Sequence, residues 1–224
     1  MTTLERLATT LPGRWQAVCF DLDGLLVDTE PIWMDAKEVL FARYGVAYHV
    51  ADHVAVFGTS EDASAAYFTS RIGLPPSETD RIRLEYLGLV TEMLDTTIPI
   101  RPGALELVSH LRGRVPIALA TNTRRSIAER ILERTGLAGW FDATATSDET
   151  KPKPEPDLYL LACQRLGVAP GLAVGLEDSP TGVRAVKAAG LYCIAVPSDP
   201  GSDVGLADEI VGSLLDLIDT EGDR

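Results

Sequence analysis

The chain opens with an apolar run, Ala17-Val18-Cys19-Phe20-Asp21, that reads as a strand but has no strand-like neighbour for about a hundred residues. The next such run is Ile117-Ala118-Leu119-Ala120-Thr121. From there strand and helix alternate. Helices are expected over 126–135, 156–166 and 181–189, and strands over 143–146, 173–176 and 192–196. A short strand at 209–211 and a helix at 214–218 close the pattern. Gly136, Gly167 and Gly190 stand where helix ends are expected, and Ser179-Pro180 marks a helix start. Repeated strand–helix units build a parallel sheet covered on both faces. The early strand belongs in that sheet, so what separates it from the rest is an insertion. Within the insertion only helical periodicity shows, over 31–44, 61–72 and 77–94, punctuated by Gly45, Gly58 and Gly73-Leu74-Pro75-Pro76. The fold class expected is α/β: a Rossmann-like parallel-sheet core, residues 1–30 and 97–224, with a small helical cap, residues 31–96, inserted into it.

Composition narrows the partners. The 224 residues are 46% hydrophobic, enough for a sizeable core, and 33 Asp and Glu against 20 Lys and Arg give a net charge of -13. Such a chain has no long-range attraction for nucleic acid or anionic membranes. No apolar stretch approaches the length of a membrane span, and the first ten residues lack the apolar segment of a signal peptide. Cys19, Cys163 and Cys193 are odd in number and show no metal-ligand spacing. Cys19 and Cys193 sit in strand-like apolar runs and read as buried thiols, a usage that fits a reducing cytoplasm. Nothing in the sequence demands more than a monomer.

In open parallel sheets, ligands bind outside the carboxyl ends of the strands. The first strand delivers Asp21 and Asp23, which alternation turns to the same side. Two carboxylates crowded at a strand end repel each other, and a hard cation such as Mg2+ relieves that repulsion. The second strand ends on Thr121, followed by Asn122 and Thr123, and the fourth runs into Glu177 and Asp178. Lys153 lies in the proline-rich loop 151–157. Alone, each has a bland explanation: Thr121 as a helix cap, Lys153 as a solvated lysine, Glu177-Asp178 as acids favoured by a helix dipole. Together they make a phosphoryl-transfer set, with carboxylates for attack, for acid–base work and for a metal, and a hydroxyl and a lysine for the phosphate.

Four segments carry a resemblance: DLDGLLVDTE over 21–30, ATNT over 120–123, KPEPDLY over 153–159 and EDSPTGVRAVKAAG over 177–190. In order and spacing they resemble the four motifs of the haloacid dehalogenase-like hydrolases. The likeness is closest to the branch with a small helical cap between the first two motifs, which holds sugar-phosphate phosphatases and beta-phosphoglucomutase. The resemblance implies that Asp21 attacks phosphorus to form an aspartyl-phosphate. It implies that Asp23 protonates the leaving oxygen and then activates water. Thr121 and Asn122 would bind phosphate oxygens, and Lys153 would offset charge on nucleophile and phosphoryl group. Mg2+ would be held by Asp21, the Asp23 carbonyl and Asp178, with Glu177 acting directly or through water.

The cap departs from the mutase pattern. Trp33 stands where those chains carry histidine, and the segment around Gly58 has Phe57 and Glu61 in place of basic residues. Trp33 either packs the hinge or lines the pocket, and Phe57 offers apolar surface. Glu61 offers an acceptor for hydroxyls and, with no cation in its segment, repels a second phosphate. The expected activity is therefore Mg2+-dependent hydrolysis of small phosphomonoesters, sugar or polyol phosphates first. A phosphosugar mutase is the second reading and a non-catalytic binding or regulatory module the third.

Overall fold

Every residue of the first strand, β1 (Ala17–Phe20), is fully buried because the strand lies in the middle of the sheet. The computed structural model describes residues 15–56, 59–199 and 201–218. Six parallel strands run in the order β3-β2-β1-β4-β5-β6, with β2 at Ile117–Thr121, β3 at Ala143–Thr146 and β4 at Ala173–Glu177. β5 is Tyr192–Ala195 and β6 Glu209–Ile210. This confirms the Rossmann-like α/β core. Phe20 is level with Leu119 on one side and Leu176 on the other. The ends of β1, β2 and β4, each of which runs into a polar segment, therefore lie side by side at one edge.

Alternation along the strands explains how the helices seat. Ala17, Cys19, Ala118 and Ala120 share a cluster with Leu158, Tyr159, Ala162 and Cys163. The last four come from α7 (Asp157–Leu166), which packs across β1, β2 and β3. Small residues on that face let the helix approach closely, as dense interiors require. α5 (Ala104–Leu111), α6 (Arg125–Thr135) and α8 (Pro180–Ala189) complete the core unit, with a 3-10 turn at Leu214–Leu217 where a helix was expected. The predicted cap of α8 is present: the Ser179 hydroxyl accepts from Gly182 N at 3.1 Å, and Gly190 ends the helix.

The chain divides into two compact units, residues 1–28 with 99–224, and residues 29–98. The core closes over the point of insertion. Asp28 N donates to Pro99 O at 2.8 Å and Arg101 N to Leu26 O at 2.9 Å, so the segments entering and leaving the insertion are stitched together. The second unit is helical among its described residues: α1 (Glu30–Arg43), α2 (Val50–Val56), α3 (Glu61–Ile72) and α4 (Thr79–Met93). Its centre is aromatic. Phe41 meets Phe68 at 5.7 Å and Phe68 meets Tyr86 at 5.1 Å, both edge-on. α2 lacks the expected signature because its apolar positions Val50 and Val54 are exposed. No helix among the described residues is long and apolar enough to cross a membrane.

Candidate active site

Asp21 is the first residue beyond β1, where its N–H still donates to Leu176 O at 3.0 Å. The carboxylate is almost wholly buried and accepts a hydrogen bond from Lys153 Nζ. Lys153 comes from the loop between β3 and α7, and Asn122 at the end of β2 fixes that loop. Asn122 Oδ1 accepts from Lys153 N at 2.7 Å, and Asn122 Nδ2 donates to Lys153 O at 3.3 Å. The Asn122 side chain thus holds the lysine's backbone.

Lys153 Nζ also donates to Glu177 Oε1, at 2.6 Å. Glu177 ends β4 and is fully buried. Tyr159 OH donates to the same oxygen at 2.6 Å, while Oε2 accepts from Asp178 N at 3.2 Å and Ser179 Oγ at 3.3 Å. Four donors fill the carboxylate's acceptor positions. Glu177, expected to serve a metal directly or through water, thus has both oxygens engaged by protein donors, Lys153 among them.

Asp178 lies next to Glu177 at the strand end, and Ser198 Oγ donates to its Oδ2 at 2.6 Å. Gly24, in the turn after β1, faces the same oxygen. A Cβ at Gly24 would fall 2.1 Å from Asp178 Oδ2, and its φ of 90° is one that side chains rarely adopt. Asp23 is held from β2: Thr123 Oγ1 donates to Asp23 Oδ2 at 2.7 Å and Thr121 Oγ1 to the same atom at 3.3 Å. Thr123 N in turn donates to Thr121 Oγ1 at 2.9 Å. Asp21, Asp23, Thr121, Asn122, Lys153, Glu177 and Asp178 are therefore brought together from four separate stretches of chain.

The charges in this group do not balance. Asp21, Glu177 and Asp178 offer carboxylate oxygens that all lie within 4.8 Å of one another, and all three residues are buried. Burial pushes the Asp21 carboxyl well above the usual carboxylate range. Lys153 opposes this, and Glu177, Asp178 and Asp23 add to it. Burial, reinforced by Glu177, pushes Asp178 up to about 7. Burial works against the charge on Lys153, but Asp21 and Glu177 outweigh it and hold the ammonium above its ordinary value. One lysine faces three carboxylates in a dry site. An oxygen-only donor set with excess negative charge suits a hard divalent cation, so the residues fit Mg2+.

The expected cap residues belong to the helical unit. Trp33, on α1, packs its ring against Tyr86 at 6.0 Å. Phe57 and Gly58 lie outside the described residues. Glu61 amends an expectation: Arg83 Nη1 stands 3.6 Å from its Oε1, but the same guanidinium lies nearer Asp62 at 3.3 Å and Asp80 at 2.9 Å, so one cation is shared among three carboxylates. The cation comes from α4 rather than from Glu61's own segment. Arg71 is engaged by Asp52 at 2.8 Å and Arg81 by Glu78 at 2.6 Å. The sequence reading assigned no role to Tyr159, Thr123 or Ser198. Tyr159 had a signal, a polar-tipped aromatic on an apolar helix face. Ser198 had none.

Comparison with known proteins gives a consistent family. Residues 15–190 match the family model described as haloacid dehalogenase-like hydrolase. The chain is 33% identical over 186 residues to fructose-1-phosphate phosphatase YqaB of Escherichia coli (strain K12), covering 82% of this chain and 97% of the relative. It is 34% identical over 181 residues to a phosphorylated carbohydrates phosphatase of Thermotoga maritima, covering 79% and 82%. Among solved structures, CbbY from Rhodobacter sphaeroides in complex with phosphate superimposes with a TM-score of 0.77 at 31% identity, covering 89% of this chain and 95% of that one.

Proposed function

The chain belongs to the haloacid dehalogenase-like hydrolases, and from that premise we propose that it is a Mg2+-dependent phosphatase of small phosphomonoesters, sugar or polyol phosphates first. The observation that carries the reading is the contact of Lys153 with Asp21 and Glu177 at the ends of β1 and β4. It keeps a buried carboxylate paired with a cation at the sheet edge where ligands bind.

In this reading the Asp21 carboxylate attacks phosphorus while Asp23 gives a proton to the departing ester oxygen. Asp23 then takes a proton from water, which attacks the aspartyl-phosphate, frees Asp21 and releases inorganic phosphate. The hydroxyls of Thr121 and Thr123 orient Asp23 for both proton movements, and Lys153 offsets charge on Asp21 and on the phosphoryl oxygens. Mg2+, held by Asp21, Asp178 and the Asp23 carbonyl, would neutralise charge that Lys153 alone leaves uncompensated. The helical unit, residues 29–98, would serve as the substrate-selecting cap.

The approach of Arg83 to Glu61 weakens the electrostatic argument against a second phosphate, although Asp62 and Asp80 share the same cation. The preference for a phosphatase over a mutase therefore draws its support from the curated relatives, which are named as phosphatases. The test is phosphate release from a panel of phosphorylated sugars and polyols, with Mg2+ and with excess chelator, alongside chromatography for isomerised phosphosugar. Metal-dependent phosphate release without isomerisation is expected. Isomer interconversion would replace this reading with the mutase, and no turnover of any phosphoester would leave only a binding module.

A further inference from the structure

We infer that Ser198, outside all four motifs, is a positioning residue for cation binding: its hydroxyl fixes the Asp178 carboxylate on which the proposed metal site depends. The inference rests on the Mg2+ reading above. Asp178 follows the last residue of β4, where the sheet no longer restrains the side chain. Left alone, its carboxylate has two torsions free to turn. Two features remove that freedom. Ser198 Oγ donates to Oδ2 at 2.6 Å, and the backbone of Gly24 stands so close to the same oxygen that a Cβ there would collide with it.

The serine is itself well placed. It lies just beyond β5, whose Ala195 is in register with Glu177, and Val196 N donates to Glu177 O at 2.7 Å. The loop is therefore tied to the strand that carries Asp178, so the hydroxyl approaches from a fixed direction. A hydrogen bond on one carboxylate oxygen leaves the other for a cation and sets its direction in advance. Partners of this kind tune metal affinity in other sites.

The experiment titrates the metal-free full-length protein with Mg2+ by calorimetry, in wild type, Ser198→Ala and Ser198→Thr. Melting without metal is followed separately. Ser198→Ala is expected to weaken Mg2+ binding about tenfold or more, the loss typical of removing such a partner. Ser198→Thr, which keeps the hydroxyl, should stay within about threefold of wild type on the same scale. The melting temperatures without metal should agree within about 2 °C, as expected for a half-buried loop substitution. Binding by Ser198→Ala within about twofold of wild type overturns the inference, whatever the melting temperatures do. So does a threonine variant that loses as much affinity as alanine. If wild type itself binds no Mg2+, the metal reading fails and takes this inference with it. Binding by wild type with unaltered binding by Ser198→Ala sinks the inference alone.

Discussion

Gly182 lies against the Glu177 carboxylate so closely that a methyl group added to it would fall 1.9 Å from the carboxylate carbon. α8 and the end of β4 are packed to a distance that only glycine permits. Gly182→Ala must push aside a carboxylate that holds Lys153 and Tyr159. Overpacking of this kind costs about 1–3 kcal/mol. Because Lys153 would shift with Glu177, kcat should fall about tenfold or more, in line with misplacement of a catalytic group. Thermal melting and initial rates measure both. Unchanged values would mean that the helix moves away freely.

Asp21→Asn removes the proposed nucleophile while nearly keeping its shape. Turnover should fall by about three orders of magnitude or more, comparable with the loss of other catalytic groups. The metal-free variant should melt no lower than wild type, because burial already disfavours the charged form of Asp21. Freshly prepared protein avoids deamidation back to aspartate. A variant that keeps a tenth of wild-type turnover would remove Asp21 from the role.

Metal binding and pH should be linked through Asp178. In the metal-free fold its pKa is pushed up to about 7, against about 3.9 in an unfolded chain. The folded state thus holds the proton more tightly. The group's contribution to stability is complete below the unfolded value and is lost as pH rises toward 7. Mg2+ competes with that proton, so the increase in melting temperature on adding Mg2+ should be larger at pH 8 than at pH 6. Asp178→Asn should reduce the difference, leaving the part that comes from Asp21. A larger increase at pH 6 would contradict the assignment.

Glu149 makes an opposite prediction for acid stability. Its carboxylate accepts from Arg165 Nη2 at 2.6 Å and Arg125 Nη2 at 2.6 Å, and from Thr146 Oγ1 at 3.0 Å. Arg165 foremost, with Thr146 and Arg125 assisting against burial, lowers its pKa to about 2. A depressed value contributes stability above the unfolded pKa of about 4.3 and loses it as pH falls toward 2. Glu149→Gln should therefore lower the urea midpoint at pH 7, and the gap to wild type should narrow between pH 4 and pH 3. A gap that stays constant with pH would show that packing, not charge, is responsible.

The parts of the site that were legible share one property: a polar residue interrupting an apolar strand. Asp21, Thr121 and Glu177-Asp178 announce themselves this way, because the sheet edge is where burial stops and chemistry starts. The sheet itself was legible because its strands are short apolar runs separated by helical ones. What stayed hidden depends on contacts between distant stretches. Ser198 is an ordinary loop serine until the pairing of β4 with β5 brings it to Asp178. Glu61 looked unpaired because its partner Arg83 lies on another helix. The helix Val50–Val56 escaped notice because Val50 and Val54 are exposed, so its apolar positions do not trace a buried face.

The central place of β1 has a consequence for the order in which the molecule is made. Val18 pairs with Ile117 on one side and with Val174 on the other, and both partners emerge from the ribosome after residues 29–98. The helical unit finds its contacts within one continuous stretch and has them all available early. The first strand must wait, apolar, with one edge unpaired until residue 121 is made and the other until residue 177. Translation pauses or truncations before residue 177 would therefore leave a finished insertion attached to an unfinished sheet, with the Ala17–Phe20 strand as the segment most in need of protection.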